Sequence, residues 1–143
     1  MITPYLVFPG TCAEALIFYR EVFQCPEPRV LPYGTYVPEG LDPVPERLSE
    51  WVMHAEMPVC GTNVWFADEP GAEASGGSVR LTVTLPTAGQ ARSCFAQLTE
   101  GGTVTLPPTE TFYSSFHAAG TDRFGTCWNV VAEEAPEGGQ IHE

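Results

Sequence analysis

Two stretches of the chain repeat one pattern of apolar and polar positions. Each opens with a strand-like run that ends in proline, Ile2 to Phe8 before Pro9 and Val79 to Leu85 before Pro86. A hydroxyl residue follows in each case, at the head of Thr11-Cys12-Ala13-Glu14 and Thr87-Ala88-Gly89-Gln90. Both tetrads read as capping boxes, in which the residue three positions on bonds back to the N–H of the cap. At an offset of 76 (87 − 11), the stripe Cys12, Ala15, Tyr19, Val22 falls on Ala88, Ala91, Phe95, Leu98. That spacing buries one face of a helix. Helices are therefore expected from about Cys12 to Phe23, stopped by Cys25-Pro26-Glu27-Pro28, and from about Ala88 to Thr99, ended by Gly101-Gly102.

Between and after the helices the period drops to two. Arg29 to Tyr36 reads as a strand, and Trp51 to Pro58 and Thr62 to Ala67 as a hairpin around Val59-Cys60-Gly61. Val37 to Glu50, with three prolines and a glycine, reads as a long loop and a candidate lid. Asp68 to Gly77 reads as a linker. In the second copy, Ser78 to Leu85 is the first strand, and Thr103 to Phe112, Ser115 to Thr121 and Thr126 to Ala132 follow the helix, with Asp122-Arg123-Phe124-Gly125 as the last turn. The expectation is an α+β fold of two tandem βαβββ modules, about 1–70 and 78–132. Their curved mixed sheets enclose a cleft, with the helices on the convex face.

Composition limits what such a fold can do. A chain of 143 residues fills one ordinary core, so a single domain over 1–132 is expected. No apolar run approaches the roughly 18 residues of a membrane span. Five cysteines at 12, 25, 60, 94 and 127 form no Cys-x-x-Cys pair and read as reduced thiols. With no export signal at the N-terminus, the cytoplasm is the expected compartment. Eighteen acidic against six basic residues give a formal charge of −12, which repels phosphate backbones and anionic lipid. Neither nucleic acid nor membrane is an expected partner. The acidic stretch Glu133-Glu134-Ala135-Pro136-Glu137-Gly138-Gly139 begins a tail, 133–143, expected to fray.

Alternation then assigns side chains to faces. Val79, Leu81 and Val83 should lie under the helix, and Ser78, Arg80 and Thr82 should face the cleft. Met53, Ala55 and Met57 should be covered, leaving His54 and Glu56 on the cleft side. A two-residue turn at Cys60-Gly61 would set Glu56 opposite Trp65 and His54 opposite Ala67. His54 and Glu56 are the candidate catalytic pair, as base and orienting partner or as two ligands of one ion; a plain hydrogen-bonded pair at the cleft wall is the alternative. Arg80 is suited either to an anionic ligand or to neutralising Glu56. Trp65 offers a plane for a flat or cationic ligand, although core packing is the commoner fate of a strand tryptophan. Phe112 and Tyr113 sit where aromatics close over a ligand or bury a contact between copies. Trp128 is expected in the core and Asp122 in its turn, while His117 and His142 carry no assignment.

The order of parts resembles the vicinal-oxygen-chelate superfamily, the glyoxalase and bleomycin-resistance fold. Ile2-Thr3-Pro4-Tyr5-Leu6-Val7-Phe8, Ala15-Leu16-Ile17-Phe18-Tyr19, Met53-His54-Ala55-Glu56, Glu110-Thr111-Phe112 and Thr121-Asp122-Arg123-Phe124-Gly125-Thr126-Cys127-Trp128 look like its PhnB-like branch, which often carries a 3-demethylubiquinone methyltransferase label. The resemblance implies a homodimer whose modules complete each other's clefts. Methyl transfer is not supported, because the turns at Pro9-Gly10 and Pro86-Thr87 lack a glycine-rich cradle for an adenosyl cofactor. Metal-binding members place a His, Gln or Glu on each of four strands. Those positions correspond to about Pro4, Trp65, Ser78 and Asn129 here, and such donors hold an ion poorly or not at all. The implied function is binding of a small organic ligand, with Asn129 lining the cleft, no metal and no other cofactor; a divalent ion held by His54 and Glu56 in a glyoxalase- or dioxygenase-type enzyme is the alternative.

Overall fold

The computed structural model describes residues 1–35, 48–73 and 78–136. The chain divides into two compact units, Met1–Glu73 and Ala74–Glu143. The first contains β1 (Tyr5–Phe8), α1 (Cys12–Phe23), β2 (Arg29–Pro32), β3 (Val52–Val59) and β4 (Thr62–Asp68). The second contains β5 (Leu81–Leu85), α2 (Ala88–Leu98), β6 (Thr103–Thr109), β7 (His117–Thr121) and β8 (Cys127–Ala132). Each is a βαβββ module with a four-stranded mixed sheet, ordered β1-β4-β3-β2 and β5-β8-β7-β6. In both, the first strand pairs with the last in parallel and the other pairs are antiparallel.

Each helix covers one face of its own sheet. Cys12, Ala15, Leu16, Tyr19 and Val22 of α1 are buried, with Ala55 and Met57 of β3 and Val64 and Phe66 of β4. Ala91, Cys94, Phe95 and Leu98 of α2 are buried, with Val83, Ala118, Val130 and Trp128 on the strands. The expected stripes form the cores except at Ala88, which is half-buried. The β3–β4 turn is Cys60-Gly61, with φ of 48° and 87°, and Val59 pairs Thr62 across it. Two consecutive positive φ angles match the right-handed twist of the flanking strands, and glycine reaches them without a steric penalty. Among the described residues, no helix is long and apolar enough to cross a membrane.

Several expectations are corrected. Thr11 makes no capping hydrogen bond from its side chain. The carboxylate of Asp68, the residue expected to begin a linker, does this work at the buried end of β4. Its Oδ1 accepts the Gly10 and Cys12 N–H groups at 2.9 Å each, and its Oδ2 accepts Val52 N–H at 3.0 Å. A carboxylate at a helix N-terminus meets orphan donors and the positive end of the dipole together. Gly10 is required beside it: its φ is +110°, and a Cβ there would lie 2.6 Å from the Trp51 ring. Thr87 does form the full capping box with Gln90.

The edge strands are shorter than their patterns. β1 starts at Tyr5, β2 gives way at Pro32 to a 3₁₀ turn over Tyr33–Thr35, and β6 ends at Thr109 after register shifts on either side of Leu106. Ser78, Val79 and Arg80 precede β5 and are all exposed, so alternation assigns them no face. The reason is pairing, since Trp128, one residue into β8, meets Leu81. The start of the tail is tied down: Glu133 N–H donates to Leu85 O, Ser115 N–H to Glu134 O, and Ala88 N–H to Glu134 Oε2. Tyr36, residues 37–47 of the candidate lid, the end of the tail and His142 lie outside the described residues.

Candidate functional site

The face of the first sheet opposite α1 carries one continuous row of functional side chains. Its register runs Arg29 of β2, Glu56 of β3, Trp65 of β4, Tyr5 of β1, each the direct partner of the next. His54 lies two residues before Glu56 and Asn63 two before Trp65, and a period of two puts both on the same face. The pairing of Glu56 with Trp65 is the one expected from the two-residue turn.

Three rings meet there edge to face. Centroids are 4.9 Å apart for His54 and Trp65, 5.8 Å for Tyr5 and His54, and 5.8 Å for Tyr5 and Trp65, with interplanar angles of 80°, 74° and 85°. Trp65 is not core: it is 37% exposed and Tyr5 46%. Beside them the Glu56 carboxylate is held at both oxygens. Asn63 Nδ2 donates to Oε1 at 3.0 Å, and Oε2 is paired with His54 Nε2 at 3.2 Å. The Asn63 and His54 hydrogen bonds hold the Glu56 carboxyl below the usual carboxylate range, with the charge of Arg29 a smaller contribution. Hydrogen bonds to the ionised form favour it.

Arg80, expected either to grip an anionic ligand or to neutralise Glu56, is exposed ahead of β5; the Glu56 carboxylate is hydrogen-bonded by Asn63 and His54, and Arg29 is the guanidinium beside it on the ladder. Neither Tyr5, Asn63 nor Arg29 stood out in the sequence. In the second unit Asn129 donates from Nδ2 to Thr82 Oγ1 at 3.3 Å. Phe112 and Tyr113 lie in the β6–β7 connection, 81% and 41% exposed, with their rings 5.1 Å apart. Tyr113 Oη lies 2.9 Å from His117 Nδ1, a contact nothing in the sequence indicated. Asp122 is a buried turn-former whose Oδ1 accepts the Phe124 and Thr126 N–H groups, while its Oδ2 accepts the indole N–H of buried Trp128.

The ladders also align the two modules position by position. Tyr5 pairs Trp65 and Trp65 pairs Glu56; Thr82 pairs Asn129 and Asn129 pairs Ala119. Both rows lie three residues before the end of the parallel ladder, at Phe8–Asp68 and Leu85–Ala132. The second module therefore has Thr, Asn and Ala where the first has Tyr, Trp and Glu, and His117 stands where the first has His54. The chemistry is concentrated in one copy.

The donors do not fit the superfamily's ion. Trp65 N–H donates to Pro4 O at 3.0 Å, so these two positions are joined through the backbone, and neither side chain is a ligand. Ser78 is exposed ahead of its strand. Among the described residues, no three His, Cys, Asp or Glu side chains converge as an ion site would need. A surface groove of about 450 Å³ lies elsewhere, along α1 between Ile17, Arg20, Glu21, Gln24 and Cys25, and brings no ring cluster together.

No known family profile matches the chain. Protein PA1353 from Pseudomonas aeruginosa, a crystal structure, is 30% identical with a TM-score of 0.78, covering 93% of this chain and 97% of that one. A PhnB protein from Bacillus cereus, whose name carries a provisional 3-demethylubiquinone-9 3-methyltransferase label, is 20% identical with a TM-score of 0.72, covering 92% and 98%. A glyoxylase/bleomycin resistance protein/dioxygenase domain from Frankia sp. EAN1pec shares the fold at 11% identity and a TM-score of 0.61, covering 94% and 92%. Paired βαβββ modules, full-length similarity to PA1353 and the fold shared with the other two lead to one conclusion: the chain belongs to the vicinal-oxygen-chelate superfamily, in its PhnB-like branch.

Proposed function

We propose that this protein binds a small organic molecule on the face of its first sheet opposite α1, without the chelated ion of its metal-binding relatives. The observation that carries this reading is the half-open triad Tyr5, His54 and Trp65 beside a carboxylate fixed at both oxygens. Large exposed aromatics cost hydration, and a fixed polar group among them orients whatever covers them. The methyltransferase label of the Bacillus protein is not carried over, since neither strand-to-helix turn here is glycine-rich. A homodimer in the cytoplasm belongs to the same proposal; five cysteines with no disulfide among them suit a reducing compartment, and light scattering at twice the chain mass is the expected result.

Fragment titration followed by 1H–15N spectra tests the reading. The expected shifts gather at the Trp65 indole N–H and the β1, β3 and β4 amides, and Trp65→Ala removes them. A second reading, a metal-dependent glyoxalase- or dioxygenase-type enzyme, draws on the adjacency of His54 and Glu56. Stoichiometric zinc, nickel or iron bound through His54 would replace the first reading with the second.

A further inference from the structure

The first unit's row also carries information about the charge of what it binds. Each edge-to-face contact uses the edge of one ring and the face of another, so three contacts among three rings engage at most three of six faces. Ring faces are negative, and an indole face is the best of them for a cation. Glu56 lies directly opposite Trp65 on the ladder. Its two oxygens offer about four acceptor positions, of which Asn63 and His54 occupy two. Arg29 is its partner on the other side, yet among the described residues the two form no ion pair. An anionic guest would meet Glu56 and a chain charge of −12. A small, strongly hydrated metal ion would lose water that ring faces do not replace.

From this juxtaposition we propose that the guest is an organic cation, a quaternary ammonium or protonated amine next to a flat group, resting on the open faces of Tyr5 and Trp65 with Glu56 as its counter-charge. The inference rests on the binding reading above and adds the chemical class. Arg29 competes for Glu56 and sets a ceiling on affinity.

Three probes that share a phenyl ring and differ in charge separate the two claims: benzyltrimethylammonium, benzyl alcohol and benzoate, titrated into the full chain while the Trp65 indole N–H is followed by NMR. The cation is expected to bind at least tenfold more tightly than either of the others. Glu56→Gln, a nearly isosteric change at a half-buried position, should cut that preference below threefold while the cation still shifts Trp65, and Arg29→Gln should tighten the cation severalfold. Equal binding of benzyl alcohol or benzoate at Trp65 overturns the cation assignment and leaves the binding face standing, as does a preference that survives Glu56→Gln or an Arg29→Gln variant no tighter than wild type. No shift at Trp65 with any probe overturns both.

Discussion

Asp68 ties three parts of the first unit together through one carboxylate. It is 1% exposed and joins three places: the Gly10 turn, the start of α1 and the start of β3. The N–H of a charge-assisted pair left without its acceptor costs about 1–3 kcal/mol when buried, and three share this carboxylate. Asp68→Ala is expected to destabilise the protein by about 3–5 kcal/mol and Asp68→Asn by less, because the amide keeps one acceptor oxygen. Urea midpoints measure both, and an Ala variant within about 0.5 kcal/mol of wild type would remove Asp68 from this role. Cys25 marks the alkaline side. Burial, with the neighbouring Cys60 thiol, pushes its thiol up from 9.0 to about 11. The folded state therefore binds the proton more tightly than the unfolded one, a contribution complete below pH 9 and lost as pH rises towards about 11. Urea midpoints should fall over that window less steeply in Cys25→Ser than in wild type.

At the scale of elements, two apparent capping boxes have different energetics. Thr87→Ala removes an observed cap and is expected to cost about 1 kcal/mol, whereas Thr11→Ala removes none and should cost under about 0.5 kcal/mol. Equal losses would contradict the assignment of the α1 cap to Asp68. The helices were legible because a 3.6-residue stripe is a local signal, and α1 spans the expected Cys12 to Phe23. Edge-strand ends were not, because length there is set by the partner: Ile2 and Thr3 precede the first ladder pair at Tyr5. The same division runs through the site. His54, Glu56 and Trp65 follow from alternation across a two-residue turn. Tyr5 joins them only through a parallel pairing of β1 with β4, a register that no local pattern encodes. Alternation gives Arg80 no face, because it precedes the start of β5. The repeat itself changes offset, from 77 (82 − 5) at the first strand to 64 (129 − 65) at the last, so the helix offset of 76 does not align Asn129 with Trp65.

For the whole chain, charge governs how stability responds to ions. Eighteen acidic and six basic side chains repel one another in any compact state, and that repulsion is screened over about 10 Å at 0.1 M salt. Raising sodium chloride from about 10 mM to about 500 mM is therefore expected to lift the melting temperature by several degrees, about 2–4 °C for each kcal/mol recovered in a chain of this size. Screening depends on ionic strength and not on the ion, so potassium should match sodium, and magnesium should match both at equal ionic strength. A chelating site behaves differently: binding to the folded state stabilises it in proportion to the logarithm of ligand concentration over Kd, at concentrations far too low to screen. If the His54–Glu56 pair held an ion, micromolar zinc, nickel or iron would raise the melting temperature at high salt, and His54→Ala would abolish the rise. The expected result is a salt response common to all ions and no micromolar metal response, because the first sheet presents rings and one carboxylate where a chelate needs several converging donors.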